Sequence, residues 1–510
     1  MTYRLNAHRN LILLCLLSLF LRLAPSHLRA YELPTDFKHA KKEDLALIRD
    51  LLLLNFPPYD WIKGQNRPIP DPVYDVVIIG AGMGGLSAAT ALLKEGIFNL
   101  KLFDQNPPGF EGPWITYARM KTLRSYKEIM GPALGIPHLT FHAWYEALFG
   151  AESWRQIEKI PNALWMDYLK WYREALQLPV ENDCVLTDLI PQKEGFELHF
   201  LKKGEPLVIT ARKVVLATGR DGFGGPYIPE FAKHLPQSIC AHTMDRIDFK
   251  SLHDCSIGII GVGASSFDAA ATALEAGAKK VDLIMRREKI GSINKFAGLP
   301  FNGFNHAFFK LSDQKRWEFM SEAFDAPIPP PIESIKRVEG FSNLRVLANR
   351  EIKQIMFDGT EVILETNQGA LCYDFLILGT GYEINGYQEP ELRHVIDDIA
   401  LWKDRLPQEM VNQHPKMAAF PYLGPSFEFL PKQTGNAPYL KHLYCFNYAS
   451  TLSHGLLSAD IPAISIGATR LAEAIAADLF IENSEWYLNS LKNYDEKDFE
   501  ETDYILNIEK

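Results

Sequence analysis

Residues 75–89 read DVVIIGAGMGGLSAA. The first five predict a buried parallel strand, and the small-residue run Leu86–Leu93 predicts a helix that packs closely on its sheet. Between them Gly80, Gly82 and Gly85 stand in G-x-G-x-x-G spacing, with Gly84 in the same turn. Gly80 permits the turn, Gly82 lets the backbone approach a phosphate, and Gly85 lets helix meet strand. Backbone N–H groups and the helix dipole stabilise a pyrophosphate there. The next strand, KLFDQ, ends in Asp104, a carboxylate placed to accept hydrogen bonds from a ribose 2′-hydroxyl. The dinucleotide this unit predicts is FAD.

A second unit starts at residue 256 with SIGIIGVGASSFDAA. Gly261 and Gly263 hold the first two glycine positions, Ser265 follows, and Ser266 takes the third. That third position governs helix–strand packing, so a serine is tolerable. Its next strand, VDLIMRR, ends in Arg286 and Arg287, at the point where the first unit has Asp104. Guanidinium groups match phosphate oxygens, so this site favours the 2′-phosphate of NADPH. Two dinucleotides in one chain imply redox chemistry.

Composition narrows the class. A net charge of -10 excludes the basic footprint of nucleic-acid binding. The cysteines, at 15, 184, 240, 255, 372 and 445, form neither C-x-x-C nor C-x₄-C. A zinc ribbon and a redox-active dithiol are therefore not expected, and no metal-ligand cluster is visible. Arg4 and Arg9 precede LILLCLLSLFLRLA, a run too short to span a membrane and patterned like a signal peptide. Such a leader implies periplasmic location or attachment to the inner membrane; dependence on NADPH points instead to the cytoplasm.

The fold class expected is α/β: two Rossmann-like three-layer domains, the NADPH domain inserted in a split FAD domain. The expected divisions are a leader (1–30), a helical extension with a Pro-rich linker (31–72), and the leading segment of the FAD domain (73–250). The NAD(P)H domain (251–370), the returning segment of the FAD domain (371–480) and a C-terminal tail (481–510) follow. A Pro- and aromatic-rich excursion, 291–333, lies inside the second domain. SADIPAISIGATRLAEAIAADLF is expected to be a closing helix on the first domain.

In this arrangement the chain resembles the class B flavin-dependent monooxygenases, over about residues 74–480. Gly112-Pro113-Trp114 resembles that family's GGxW segment, with Glu111 in place of the first glycine. Ile160-Pro161 with Tyr168-Leu169 resembles its middle helix. Ala217-Thr218-Gly219 and Gly379-Thr380-Gly381-Tyr382 resemble the two strand ends at its domain crossovers. The family's FxGxxxHxxx(F/Y) linker is degraded: QSICAHTMDRIDF keeps only His242. The chain thus looks like a divergent bacterial branch.

The resemblance implies that NADPH reduces the flavin and molecular oxygen then forms a C4a-(hydro)peroxyflavin. That adduct would oxygenate a small nucleophilic substrate, an amine or sulfide, with a ketone as a further option. It also implies binding roles for Trp114, Thr218, Gly219 and Gly381. Arg124, beside Thr122 and Ser125, is a candidate for a flavin phosphate or an anionic substrate. Asn447 and His454, with Ser453, are candidates near the flavin ring, although a structural histidine reads equally well. Two alternatives remain open: an FAD-dependent NAD(P)H oxidoreductase with a non-oxygen acceptor, and a non-catalytic dinucleotide-binding protein.

Overall fold

Strand, glycine turn and helix take the expected form in a computed structural model, which describes residues 42–62 and 73–499. The leader, the extension to residue 41 and linker residues 63–72 lie outside the described residues. Strand β1 (Val73–Ile79) runs into helix Met83–Lys94, and β2 (Leu100–Phe103) returns beside it in parallel. The sheet continues through β3 (Val180–Glu181), β4 (Cys184–Gln192), β5 (Gly195–Lys202) and β6 (Glu205–Leu216), in the order β3-β2-β1-β6-β5-β4. Beyond the end of β5, strand β17 (Leu443–Cys445) pairs in parallel with the last residues of β6. The chain's return to the first domain is thereby built into its sheet.

One face of this sheet buries an apolar cluster beneath helices α1 (Lys42–Leu53), α2 (Met83–Lys94), α3 (Phe141–Phe149) and α4 (Asn162–Ala175), together with the helix Ile464–Glu482. The aromatic stripe Trp165, Tyr168, Leu169 and Tyr172 on α4 is core, and Ile464–Glu482 is the expected closing helix. Past it, a short helix (Ser484–Lys492) buries no side chain and forms the peripheral tail.

The second sheet is wholly parallel, in the order β11-β10-β9-β15-β8. Its strands are β8 (Cys240–His242), β9 (Ser256–Ile260), β10 (Lys280–Ile284), β11 (Leu344–Leu347) and β15 (Phe375–Leu378). Two of them, β8 and β15, fall outside the expected limits of 251 and 370. The three residues of β8 are too few to be read as a strand without a neighbour, and β15, whose strand end at Gly379 is legible, joins this sheet by pairing with β9 and β8. A three-stranded antiparallel excursion, β12 (Ile352–Phe357), β13 (Val362–Thr366) and β14 (Gly369–Tyr373), precedes β15. The segments that leave and re-enter the first domain, β7 (Gly224–Pro226) and β16 (Tyr382–Ile384), pair with each other as an antiparallel ribbon.

The 291–333 excursion also departs from its expected domain. Phe304, Phe308, Trp317 and Met320 pack with Trp402, Phe420 and Leu452, so it belongs to the returning half of the first domain. Arg316 clinches the contact by donating to the Ser453 carbonyl, 3.2 Å away, from between the Trp402 and Phe309 rings.

At its C-terminal end the closing helix is held by a buried charge network. Lys213, with no exposed surface, donates to Glu482 and to His442 Nδ1, while Arg212 bridges Asp75 and Glu482. Burial, and then the Lys213 charge, push the His442 imidazole down to about 4. Glu482→Gln leaves Lys213 without its nearest counter-charge. It is expected to cost about 2 kcal/mol in urea unfolding, below a fully buried pair because Glu482 is partly exposed. An unfolded histidine protonates near pH 6.5 and this one only near 4, so the unfolded chain binds the proton first as pH falls. The melting temperature should therefore drop between about pH 6.5 and 4, and His442→Asn should flatten that slope.

Candidate functional site

The two glycine turns are built alike. In the first, Gly80 (φ +98°) donates to the Phe103 carbonyl at 2.7 Å, and a Cβ there would overlap the Ala217 carbonyl oxygen at the end of β6. In the second, Gly261 (φ +122°) donates to the Ile284 carbonyl at 2.9 Å, and its Cβ would overlap the Gly379 carbonyl oxygen after β15. Each turn opens a twelve-residue helix: α2, and α5 (Ala264–Glu275).

Neither helix has a side-chain cap; the N-cap residues are Gly82 and Gly263. Uncapped N–H groups at a helix start suit a pyrophosphate. At the first turn a Cβ on Gly82 would come 3.8 Å from Gly112, and the nearby Trp114 has a buried indole N–H without a partner. Gly84 looks toward the Ser458 carbonyl and the Phe446 ring. These features fit FAD at the first turn.

Asp104 carries a second duty. Its Oδ2 accepts from the Ala81 N–H at 2.8 Å, and its Oδ1 from Asn106 N–H at 2.8 Å. The carboxylate thus pins the glycine turn to β2 and keeps acceptor capacity for a ribose hydroxyl. Arg286 and Arg287 are exposed beyond β10 and make no ion pair among the described residues. That placement fits a 2′-phosphate at the second turn.

Several expected site residues serve packing. Ser266 is buried with its hydroxyl against Gly379, where any Cβ would collide with it; it joins helix to sheet and does not face the turn's ligand side. Ser265 is exposed on the first turn of the helix. Asn447 spends its amide on the Leu216 carbonyl (3.3 Å) and Thr218 Oγ1 (3.1 Å), and its Oδ1 accepts from Ala449 N–H and the Cys445 thiol. With those bonds made, Asn447 and the Thr218 hydroxyl form a knot between the ends of β6 and β17.

His454 is likewise structural. Its Nε2 lies 2.9 Å from the Gly424 carbonyl and its Nδ1 3.4 Å from Arg470, and the ring stacks between Phe309 and Phe427. Burial, then Arg470, hold its pKa well below the usual range, so it is a neutral core imidazole. Arg124 differs: it lines a cavity of about 150 Å³ with Ala264, Asp268 and Arg337, where the first domain meets the start of α5. It donates to the Pro329 carbonyl at 3.1 Å and pairs with no carboxylate among the described residues.

At the junction of the domains stands a group that sequence reading missed. Gly219 (φ +87°) accepts at its carbonyl from Tyr448 N–H, 3.0 Å, and Gly381 (φ +82°) from Tyr227 N–H, 2.9 Å. Beside these crossovers lie Tyr117, Arg220, Asp221, Tyr382 and Tyr448. The Arg220 guanidinium sits 3.8 Å from the Tyr448 ring centroid and 5.7 Å from that of Tyr382. Burial raises the Tyr117 and Tyr382 phenols and the Asp221 carboxyl. His242 stands edge-on to Tyr382, 6.0 Å between centroids, which puts the surviving linker histidine at the junction. The available signal was adjacency: Arg220 and Asp221 directly follow Ala217-Thr218-Gly219.

The chain is 37% identical over 456 residues to the FAD-dependent urate hydroxylase of Xanthomonas campestris pv. campestris, a match covering 89% of this chain and 96% of that protein. It belongs to the class B flavin-dependent monooxygenases. A family model described as pyridine nucleotide-disulphide oxidoreductase matches residues 77–298. The fold is shared with the ornithine hydroxylase of Pseudomonas aeruginosa in its reduced form, at TM-score 0.64, 16% identity, 80% of this chain and all of that one. It is also shared with an FAD-bound cadaverine monooxygenase of Erwinia amylovora, at TM-score 0.60, 15% identity, 79% of this chain and 95% of that one. The chain is therefore a flavin-dependent oxidoreductase. Its five described cysteines are all free.

Gly379→Ala should drive a methyl into Ser266, lowering the melting temperature and weakening NADP⁺ binding, and adding Ser266→Gly should restore much of both. Replacing Arg286 and Arg287 together by glutamine should raise the KM for NADPH about tenfold or more while leaving that for NADH unchanged, as loss of charge-assisted phosphate contacts requires.

Proposed function

We propose that this monooxygenase hydroxylates a small, electron-rich, nitrogen-containing substrate with NADPH and molecular oxygen, and that urate is the first compound to test. The observation that carries the reading is the pair of matched glycine turns, each lying on the strand end that leads into the junction of Tyr117, Arg220, Tyr382 and Tyr448. Likeness to the urate hydroxylase over 89% of the chain supports the choice of probe. The wider expectation takes in amines, sulfides and, as a further option, ketones; likeness to a urate hydroxylase supports the nitrogen-containing part of it.

Bound FAD supplies the redox chemistry, taking reducing equivalents from the nicotinamide and passing them to oxygen. The chain's own residues bind and orient. Asp104 and the first-turn amides hold one dinucleotide, and Arg286, Arg287 and the start of α5 hold the other. Arg119 fastens the domains at a fixed separation: it donates to the Thr243 carbonyl and, at 2.7 Å, to the Asp245 carbonyl.

The holoenzyme should consume NADPH and oxygen in equal amounts when urate is supplied, with hydroxylated product found by mass spectrometry. NADPH oxidation that is indifferent to oxygen but supported by a quinone would sink the reading in favour of a dehydrogenase. Stoichiometric hydrogen peroxide with unaltered urate would remove urate as substrate.

A further inference from the structure

Six cationic side chains gather where the 117–124 segment meets the second domain, and four of them are internally satisfied. Arg119 binds the Thr243 and Asp245 carbonyls, and Arg337 binds Glu275 at 2.9 Å and the Arg119 carbonyl at 2.7 Å. Lys121 pairs with Glu275 at 2.9 Å and Lys159 with Glu333 at 2.9 Å. Arg124 and Arg220 have no carboxylate in ion-pair reach among the described residues. Arg124 at least has the Pro329 carbonyl. Arg220 makes no hydrogen bond with any described residue.

Arg220 is nonetheless oriented. Its guanidinium rests on the Tyr448 ring, 3.8 Å from the centroid. A cation on an aromatic face is positioned without spending its N–H donors. The platform is itself held: Tyr448 N–H donates to the Gly219 carbonyl, and its neighbour Asn447 is tied to Leu216 and Thr218. Arg220 therefore offers five donors from a fixed plane at the mouth of the junction. Adjacent Asp221 forms no ion pair with it, and burial raises that carboxyl. Arg124 is disfavoured as a cation by burial first and by the Arg220 charge next, a positive field that a nearby anion would offset.

Phosphate groups have receivers elsewhere, at the two uncapped helix starts and at Arg286 and Arg287. We propose that Arg220, oriented on the Tyr448 ring, is the specificity-determining residue that receives a negatively charged group of the substrate, so that the enzyme selects small organic anions. The inference rests on the monooxygenase reading above and adds the charge of the substrate to it. A cationic polyamine would meet two guanidinium groups at this place and be repelled.

The test uses oxidised FAD-loaded enzyme and follows the flavin absorbance change on binding urate, benzoate or cadaverine, with NADP⁺ titrated separately. Arg220→Gln should raise the Kd for the anionic probes about tenfold or more, the scale of a lost charged hydrogen bond. Its FAD content and NADP⁺ affinity should stay unchanged. Arg220→Lys should recover some of the loss, and Tyr448→Leu should weaken anion binding with the guanidinium still present. Wild-type enzyme that binds neither anion, or that prefers cadaverine, overturns the proposal. So does an Arg220→Gln variant that loses NADP⁺ affinity and keeps urate, since Arg220 would then serve a cofactor phosphate. Anion binding of the expected pattern without NADPH-dependent oxygen consumption would uphold the anion seat while sinking the monooxygenase reading.

Discussion

Each nucleotide turn lies directly on the carbonyl group that ends a neighbouring strand, and the architecture depends on that contact. Gly80 on Ala217 and Gly261 on Gly379 approach so closely that no Cβ fits. The contact fixes the start of each helix over the edge of its sheet, where unfilled N–H groups point outward. It also fixes the next few residues, since Ala217 and Gly379 open the two segments through which the chain crosses between domains. Phosphate binding and domain geometry are thus consequences of a single steric constraint, met twice.

The crossovers turn this constraint into a site. Because β7 and β16 pair as an antiparallel ribbon, with Tyr382 opposite Pro226, the two crossovers are held together, and Arg220 lies 5.7 Å from the Tyr382 ring centroid. The return strand β17 completes the first sheet against the end of β6 and delivers Tyr448 to the same place. The junction is therefore assembled from separate stretches of chain, the two crossovers and the return strand being fastened by backbone pairing. Across it Arg119 donates to the Thr243 and Asp245 carbonyls, Arg337 donates to the Arg119 carbonyl and Lys121 pairs with Glu275; these add orientation, the exposed ion pair contributing little to stability.

Much of this was legible in the sequence, and the failures share a cause. The glycine positions, Asp104, the two arginines beyond β10, the core stripe on α4 and the closing helix could be read because strong local patterns mark them. The three-residue strand β8 could not, since a few apolar residues become a strand only when a neighbour accepts their hydrogen bonds, and β15, legible as a strand, shows its sheet only through its pairing with β9. Asn447 and His454 looked like reactive polar residues beside a flavin. Their bonds to Leu216, Thr218 and Gly424 come from partners up to 231 positions away and consume their polar capacity. Ser266 could be judged tolerable from the motif, but its reason, the missing side chain at Gly379, lies in another strand.

The amino-acid sequence by itself determined the two dinucleotide units, their order, the charge that distinguishes them and the family, because turn geometry and helix packing impose residue types at fixed local spacing. Only the tertiary structure decided which polar residues are spent on the scaffold and which remain available. Arg220 has the same chemistry as Arg316 or Arg337 when read along the chain. Arg316 is enclosed by aromatic rings and the Ser453 carbonyl, Arg337 is paired with Glu275, and Arg220 keeps its donors free. Hydrogen-bond satisfaction is a property of three-dimensional neighbours, and those are set by the crossovers between the domains.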